Sequence, residues 1–464
     1  MAKSKRVVLV QGPIGKILFK LTVPMIFGVL GMVAFNLVDT FFVGQLGTLE
    51  LAALSFTFPV IFAIASLALG IGIGASAVIS RAAGEGDEDK VRVLTTDSLI
   101  LALLFVAIII VAGLLTLESV FRLLGATEEL MPLIKQYMNI WYPGMIFVVV
   151  PMVGNNAIRA IGDTKTPSVI MLIAVTVNGI MDPMLIFGLG PFPRLELKGA
   201  AIATVIARAS TLIVSLYVLI FRERMITFAK RKMMHIVQSW RRILYIGVPA
   251  AGTRIIVPIV TGAITRLLAS YGAEAVAAFG VAARLEFFAL AVIVALASVI
   301  GPFVGQNWGA GEFVRVQSGI KMGEKFAVLW GLGMCLVLVV LAKPIASIFS
   351  DNPSVISTIV LYLRIVPLAF GAGGVIILDS AALNVLNRPL HATSLIFMQM
   401  VVLYIPLAHM GSQLFGLRGI FGGAAVAYIV AGVGAHFLVK YILVSMRSSF
   451  DVMTNRDYKN GLSR

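Results

Sequence analysis

The stretch from Pro24 to Ala53, PMIFGVLGMVAFNLVDTFFVGQLGTLELAA, decides how the chain is read. It puts a single carboxylate, Asp39, late in an otherwise apolar helix of membrane length. A charge at bilayer depth costs roughly 2.5 to 3.5 kcal/mol on the mildest scale, so an acid kept there has a partner or a task. The stretch recurs in the second half of the chain without the acid. Aligned with no gap, Val23-Pro24 falls on Val248-Pro249, Gly47 on Gly272, Ala52-Ala53 on Ala277-Ala278, Gly84 on Gly309 and Gly86 on Gly311, whereas Asp39 falls on Ile264. Packing that demanded an acid would demand one in both copies. The asymmetry points to chemistry in the first half.

Composition sets the class. Of 464 residues 59% are hydrophobic and 13% charged, with a mean hydropathy of +1.00. Apolar runs of about 20 residues or more follow one another, each long enough to cross a hydrocarbon core about 30 Å thick. The chain therefore reads as an all-α polytopic membrane protein, since a β-barrel would alternate in shorter segments. MAKSKR is followed by a brief apolar run with no small-residue cleavage site, so the first helix, not a cleaved signal peptide, is expected to direct insertion. The net charge of +15 is concentrated in particular loops and reads as topology and contact with membrane lipids, not as nucleic-acid binding. Cys335 lies alone in an apolar run and is expected in the core. The four histidines show no metal-ligand spacing, so no structural metal and no cofactor are expected.

Twelve transmembrane helices are expected, at about 15 to 43, 50 to 81, 94 to 122, 131 to 158, 166 to 190, 198 to 222, 243 to 269, 275 to 305, 319 to 349, 354 to 386, 391 to 415 and 418 to 446. They form two six-helix lobes, residues 1–221 and 243–446. Between them, residues 222–242 make a basic amphipathic linker with seven Lys or Arg, expected on the membrane surface through Phe228, Met233, Ile236, Val237 and Trp240. A polar tail, 447–464, is expected to be loose. Basic residues gather at the N-terminus, around Lys90 and Arg92, around Arg159 and Lys165, in the linker and in the tail, which places both termini in the cytoplasm. Six helices per copy start both copies on the same side. The repeat is then parallel, and such a layout normally leaves a cavity between the halves. Its register extends to GAAIAT at 199–204, matched by GAAVAY at 423–428.

Two acids are best placed for function. Asp39 lies roughly 28 Å along a helix from Lys20, and Asp182 roughly 22 Å from Pro167, so both fall in the outer half of the membrane. Asn178 precedes Asp182 by one helical turn and shares its face, while its counterpart in the second copy is Leu403. Acid and amide together suit a proton or a small hard cation. The bland alternative is a helix-capping Asp at the membrane edge, with Pro183 following Asp182. Arg254, Arg266, Arg284, Glu286, Arg364 and Asp379 are expected to be structural, some pairing with one another or reaching the interface by snorkelling. Pro24 and Pro249 permit a bend in the first helix of each copy, for packing or as a hinge. Gly70 to Ser76 lies inside an apolar helix and reads as close packing, not as a nucleotide loop. No Walker A sequence is present, and Ala160-Ile161-Gly162-Asp163 is a poor fit to an intramembrane aspartyl protease, so an enzyme is not expected.

Pro24, Asn36, Asp39, Gly44 and Gly47 with Leu51-Ala52-Ala53, the turn from Asn156 to Pro167, and Asn178 to Asp182 together resemble the multidrug and toxic compound extrusion family, in its prokaryotic DinF-like branch. The resemblance implies a monomeric antiporter in the cell membrane that exports small-molecule drugs or toxic organic cations in exchange for H+ or Na+. Carried onto this sequence, it implies cation-coupling positions at Asp39, Asn178, Asp182 and Thr204, with any sodium bound there. The closest rival is a lipid or lipid-linked glycan flippase, which should carry a strongly basic cavity. In the first lobe only Arg208 is a cation at membrane depth.

Overall fold

In a hydrocarbon solvent a backbone amide must find its partner within its own segment, and this chain meets that demand with helices throughout. The structure, a computed structural model, describes the backbone of residues 9–461 and side chains as far as residue 446. The basic residues 1–8 on which the N-terminal orientation partly rests, and residues 462–464, lie outside it. The first half comprises α1 (Ile14–Gly44), α2 (Thr48–Gly84), α3 (Glu88–Leu123), α4 (Met131–Gly144), α5 (Ile146–Ala160), α6 (Lys165–Phe187) and α7 (Glu196–Tyr217), which ends in a π-helical turn, Val218–Arg222. Then come α8 (Met233–Ala269), α9 (Ala273–Gly309), α10 (Phe313–Val340), α11 (Ala342–Phe349), α12 (Pro353–Ile365), α13 (Phe370–Val385), α14 (Pro389–Phe397), α15 (Ile405–Phe415) and α16 (Leu417–Gly461).

Eleven helices among the described residues are long and apolar enough to cross a membrane, and the pair α4 and α5, bent by 42°, makes a twelfth. Pro143 and Gly144 stand just before that bend, where a missing amide proton and a missing side chain weaken the helix. The span expected at 319 to 349 is interrupted at Leu341, which separates α10 from α11. The spans expected at 354 to 386 and 391 to 415 run unbroken as Pro353–Val385 and Pro389–Phe415, the first tightening to a 3₁₀ turn at Val366–Ala369 with Pro367, the second widening to a π-helical stretch at Met398–Tyr404. The last helix runs on through Gly461, across the residues where a loose tail is expected.

The chain divides into two compact units, residues 16–252 with a short N-terminal piece, and residues 253 onward with Gly12–Gly15. The dividing point lies inside α8, beyond the basic segment 222–242. That segment is tied to the first unit. Arg231 Nη1 donates to Asp97 Oδ1 at 2.6 Å, Trp240 Nε1 donates to the Asp97 carbonyl at 2.9 Å, and the Thr227 amide donates to Thr96 Oγ1 at 3.0 Å. Trp240 is thus folded against α3, while Phe228, Met233 and Val237 remain exposed.

The glycine-rich face of α2 is a packing device, as its position in an apolar helix implies. A Cβ at Gly70 would collide with the carbonyl oxygen of Gly247, and one at Gly74 with that of Ile243, so here α2 and the start of α8 touch backbone to backbone. A Cβ at Gly72 would strike the Asn156 side-chain amide of α5. Backbone cannot rotate out of the way. Gly74→Val is therefore expected to destabilise the protein by about 1–3 kcal/mol or more. Gly333→Ala, where nothing lies within 4 Å, should leave stability unchanged or slightly raised. Thermal unfolding in one detergent, with folded yield, checks both.

Candidate functional site

The expected site residues come from three helices of the first unit, and the structure brings them together in pairs. Asp39 is half-buried near the C-terminal end of α1, whereas Asn178, Asp182 and Thr204 are buried on α6 and α7. Asn178 Nδ2 donates to Asp182 Oδ1 at 3.0 Å, the one-turn spacing acting as the helix period requires. Thr204 Oγ1 donates to Asp39 Oδ1 at 3.5 Å, joining α7 to α1. The two carboxylates lie within electrostatic reach of each other. Helix α6 continues past Asp182 and Pro183 to Phe187 and closes at Gly188 with φ +74, so Asp182 is an interior residue and not a cap. Pro24 sits inside α1, which shows no break there.

Two residues complete the surroundings. Tyr137 of α4 is buried, with its hydroxyl beside that of Thr204 and within reach of both acids. Arg208 lies one turn from Thr204 and stacks its guanidinium 4.2 Å from the centre of the Phe35 ring, itself one turn from Asp39. Cation on ring and hydroxyl on acid form two successive rungs between α1 and α7. Arg208 is also the countercharge nearest in effect to Asp39. Tyr137 escaped the sequence reading, because nothing in a lone tyrosine near the start of an apolar helix signals which way it faces.

Asn178 Oδ1 and Asp182 Oδ2 are buried with no hydrogen-bond partner. A native interior rarely leaves such atoms unsatisfied. With two carboxylates, an amide oxygen and a hydroxyl, the cluster is an all-oxygen donor set, which suits a proton or a hard cation and not a transition metal. No grouping of three or more His, Cys, Asp or Glu that could hold a metal is found among the described residues.

The second unit does not repeat this arrangement. Ile264, Leu403 and Leu407 stand at the positions of Asp39, Asn178 and Asp182. Its acids are placed differently. Glu286 of α9 is half-buried beneath two tyrosines: Tyr428 OH donates to Oε1 at 3.0 Å, and Tyr362 OH donates to Oε2. Tyr428 is the repeat counterpart of Thr204, so the same helix position supplies a hydroxyl to an acid in both units. Asp379 lies beside Glu324, which meets His436 Nδ1 at 3.0 Å. The expected pairing of second-unit charges does not occur: among the described residues Arg254, Arg266, Arg284 and Arg364 form no ion pair.

The MatE family profile matches this chain twice, over residues 24–184 and again over 249–410, once in each half. The chain belongs to the MatE family. It is 37% identical over 441 residues to the FAD transporter of Shewanella oneidensis, covering 95% of this chain and 98% of that one. To the multidrug export protein MepA of Staphylococcus haemolyticus it is 28% identical, over 95% of this chain and 96% of the relative. The MATE transporter VcmN of Vibrio cholerae in its bent form superposes with a TM-score of 0.89 at 32% identity, covering 93% and 97% of the two chains. A transporter of Pyrococcus furiosus shares the fold, with a TM-score of 0.86 at 24% identity over 96% and 100%. The chain is a multi-pass membrane transporter of a family that exports small organic compounds, and not an enzyme.

The hydrogen bond within α6 can be tested directly. Asn178→Leu, which copies the second unit, removes the donor to Asp182 and should cost about 1–3 kcal/mol. A melting temperature equal to that of the unaltered protein would show that Asp182 does not depend on the amide.

Proposed function

We propose that the chain is a secondary active antiporter that exports amphipathic organic compounds, cations foremost, in exchange for protons or sodium by alternating access. It works in the cell membrane as a monomer with both termini in the cytoplasm. The observation that carries this reading is the pair of interacting acids in the first unit, with an amide oxygen and a carboxylate oxygen left without partners. Two carboxylates that close together in a medium of low dielectric resist ionising together, so a proton or a cation between them relieves repulsion. Asp39, Asn178, Asp182 and Thr204 hold the coupling ion. Tyr137 and Arg208 set its electrostatic surroundings.

Neutralising the cluster frees α1 to repack, with Pro24 as the hinge, and the loss of negative charge weakens the hold on a cationic compound. Coupling ion and cargo then exclude each other, which is the reciprocal linkage an antiporter needs. A second reading, export of a flavin dinucleotide, is favoured by the likeness to the Shewanella oneidensis FAD transporter.

The test is efflux from proteoliposomes of ethidium and, in parallel, of FAD, under separately imposed proton and sodium gradients. Either gradient should drive export of at least one compound, and Asp39→Asn should abolish it while the protein stays folded. Gradient-driven export by Asp39→Asn at the unaltered rate would overturn the assignment. Ethidium affinity should also fall on acidification in the unaltered protein and stay flat in Asp39→Asn, because the amide cannot take up the proton. Titration of binding across pH at fixed sodium reads this.

A further inference from the structure

Beside the second-unit counterpart of Asp39 stand an arginine and a histidine in place of an acid. A pocket of about 340 Å³ opens beside Ile264, the counterpart of Asp39, and is lined by Arg266, Leu267, Ile405 and His409 of α8 and α15. It therefore shares with the acid site the repeat position of Asp39, now flanked by basic side chains. Arg266 is exposed there and has no hydrogen-bond or ion-pair partner among the described residues. Arg254 and Arg284 of the same unit are likewise exposed and unpaired. Compare Arg208 of the first unit, which has both a ring to stack on and an acid nearby.

His409 adds an imidazole to the lining. Its Nε2 lies 3.2 Å from Gln413 Nε2. Gln413 sits one turn from His409 and meets its ring through this contact. A guanidinium fork and an imidazole N–H on an apolar-walled pocket form a donor set for a tetrahedral oxyanion, with the fork taking two oxygens at once. The volume is at the lower end of ligand pockets and admits a phosphoryl group with the carbon fragment attached to it.

We propose that the pocket of Ile264, Arg266, Ile405 and His409 is a subsite for the phosphoryl group of an amphipathic compound, borne by a soluble organic phosphate or by a lipid headgroup. As a cargo subsite it rests on the reading of the chain as an exporter of organic compounds. The apolar wall receives the carbon part, and Arg266 and His409 select the phosphate. Cargo is then held by charge of one sign in this unit, while the coupling ion is held by charge of the other sign in the first.

The probes are riboflavin 5′-phosphate and riboflavin, which share a fluorescent ring and differ only in the phosphate. Binding is measured by fluorescence on the full chain, purified in phospholipid-free detergent. The phosphate form should bind about tenfold tighter or more, as expected for charge-assisted hydrogen bonds. The double variant Arg266→Gln, His409→Gln should bring the two affinities level without changing riboflavin binding or melting temperature. Repetition in nanodiscs separates the two sources. Loss of the preference in phosphatidylglycerol but not in a phosphate-free galactolipid assigns the subsite to lipid headgroups, and its persistence in both assigns it to soluble phosphates. Equal affinities, no binding of the phosphate form, or a preference that survives the double variant overturns the proposal. Efflux under ion gradients is scored separately, so a phosphate preference without gradient-driven export would sink the antiporter reading and leave the subsite standing.

Discussion

A carboxylate inside a bilayer must draw its hydrogen bonds from neighbouring side chains, and this chain does so in two contrasting ways. Glu286 has a tyrosine hydroxyl on each oxygen. Asp182 has one amide on one oxygen and nothing on the other. The first arrangement is closed, because adding a proton or an ion would displace bonds already made. The second is open, since an arriving positive charge completes the coordination without breaking anything. Asp379 of the second unit, buried beside Glu324 with no hydrogen-bond partner on either oxygen, is open in the same sense as Asp182. The packing of α1 against α6 and α7 is what keeps Asp182 in the second condition.

Duplication supplied two copies of one scaffold, and the copies diverged at the positions that touch charge. The hydroxyl at Thr204 and Tyr428 persists, yet it serves an acid on the first helix of one copy and on the second helix of the other. Replacing Asp39 by Ile264 removed the reason to keep an amide at Leu403, and a π-helical stretch now runs through that point of the span. Such stretches often mark places where an inserted residue has altered a helix face. The close backbone packing diverged as well, since Gly70, Gly72 and Gly74 of α2 correspond to Ala295, Ala297 and Val299 of α9.

The architecture was largely legible because lipid reduces the choices open to a chain. Apolar runs of membrane length and short polar breaks sufficed for twelve spans, and the repeated Val-Pro, Gly and Ala-Ala positions sufficed for two copies. Within the site, Asn178 and Asp182 share one helix, so the helical period alone put them on a common face. Tyr137 and the Phe35–Arg208 stack were hidden, because their roles depend on the rotation of α4 and α7 about their own axes, which apolar composition does not encode. The same blindness affected the second unit. Glu286 and Asp379 were noticed as buried charges, but their partners turned out to be tyrosines and a second acid, not the arginines that simple charge balance suggested. The break at Leu341 was hidden because hydropathy remains high across it.

The early part of α8 lies within the first unit, its backbone pressed to the glycine face of α2, while the rest of the same helix belongs to the second. The boundary seen in charge and the boundary seen in packing are therefore different places. Were the gene severed in the basic segment 222–242, the downstream polypeptide would begin with the helical turns that fill the groove of the upstream one. The two fragments would then hold a ready means of recognising each other in trans. Severed at Gly252 instead, each fragment would keep its own contacts and lose that means.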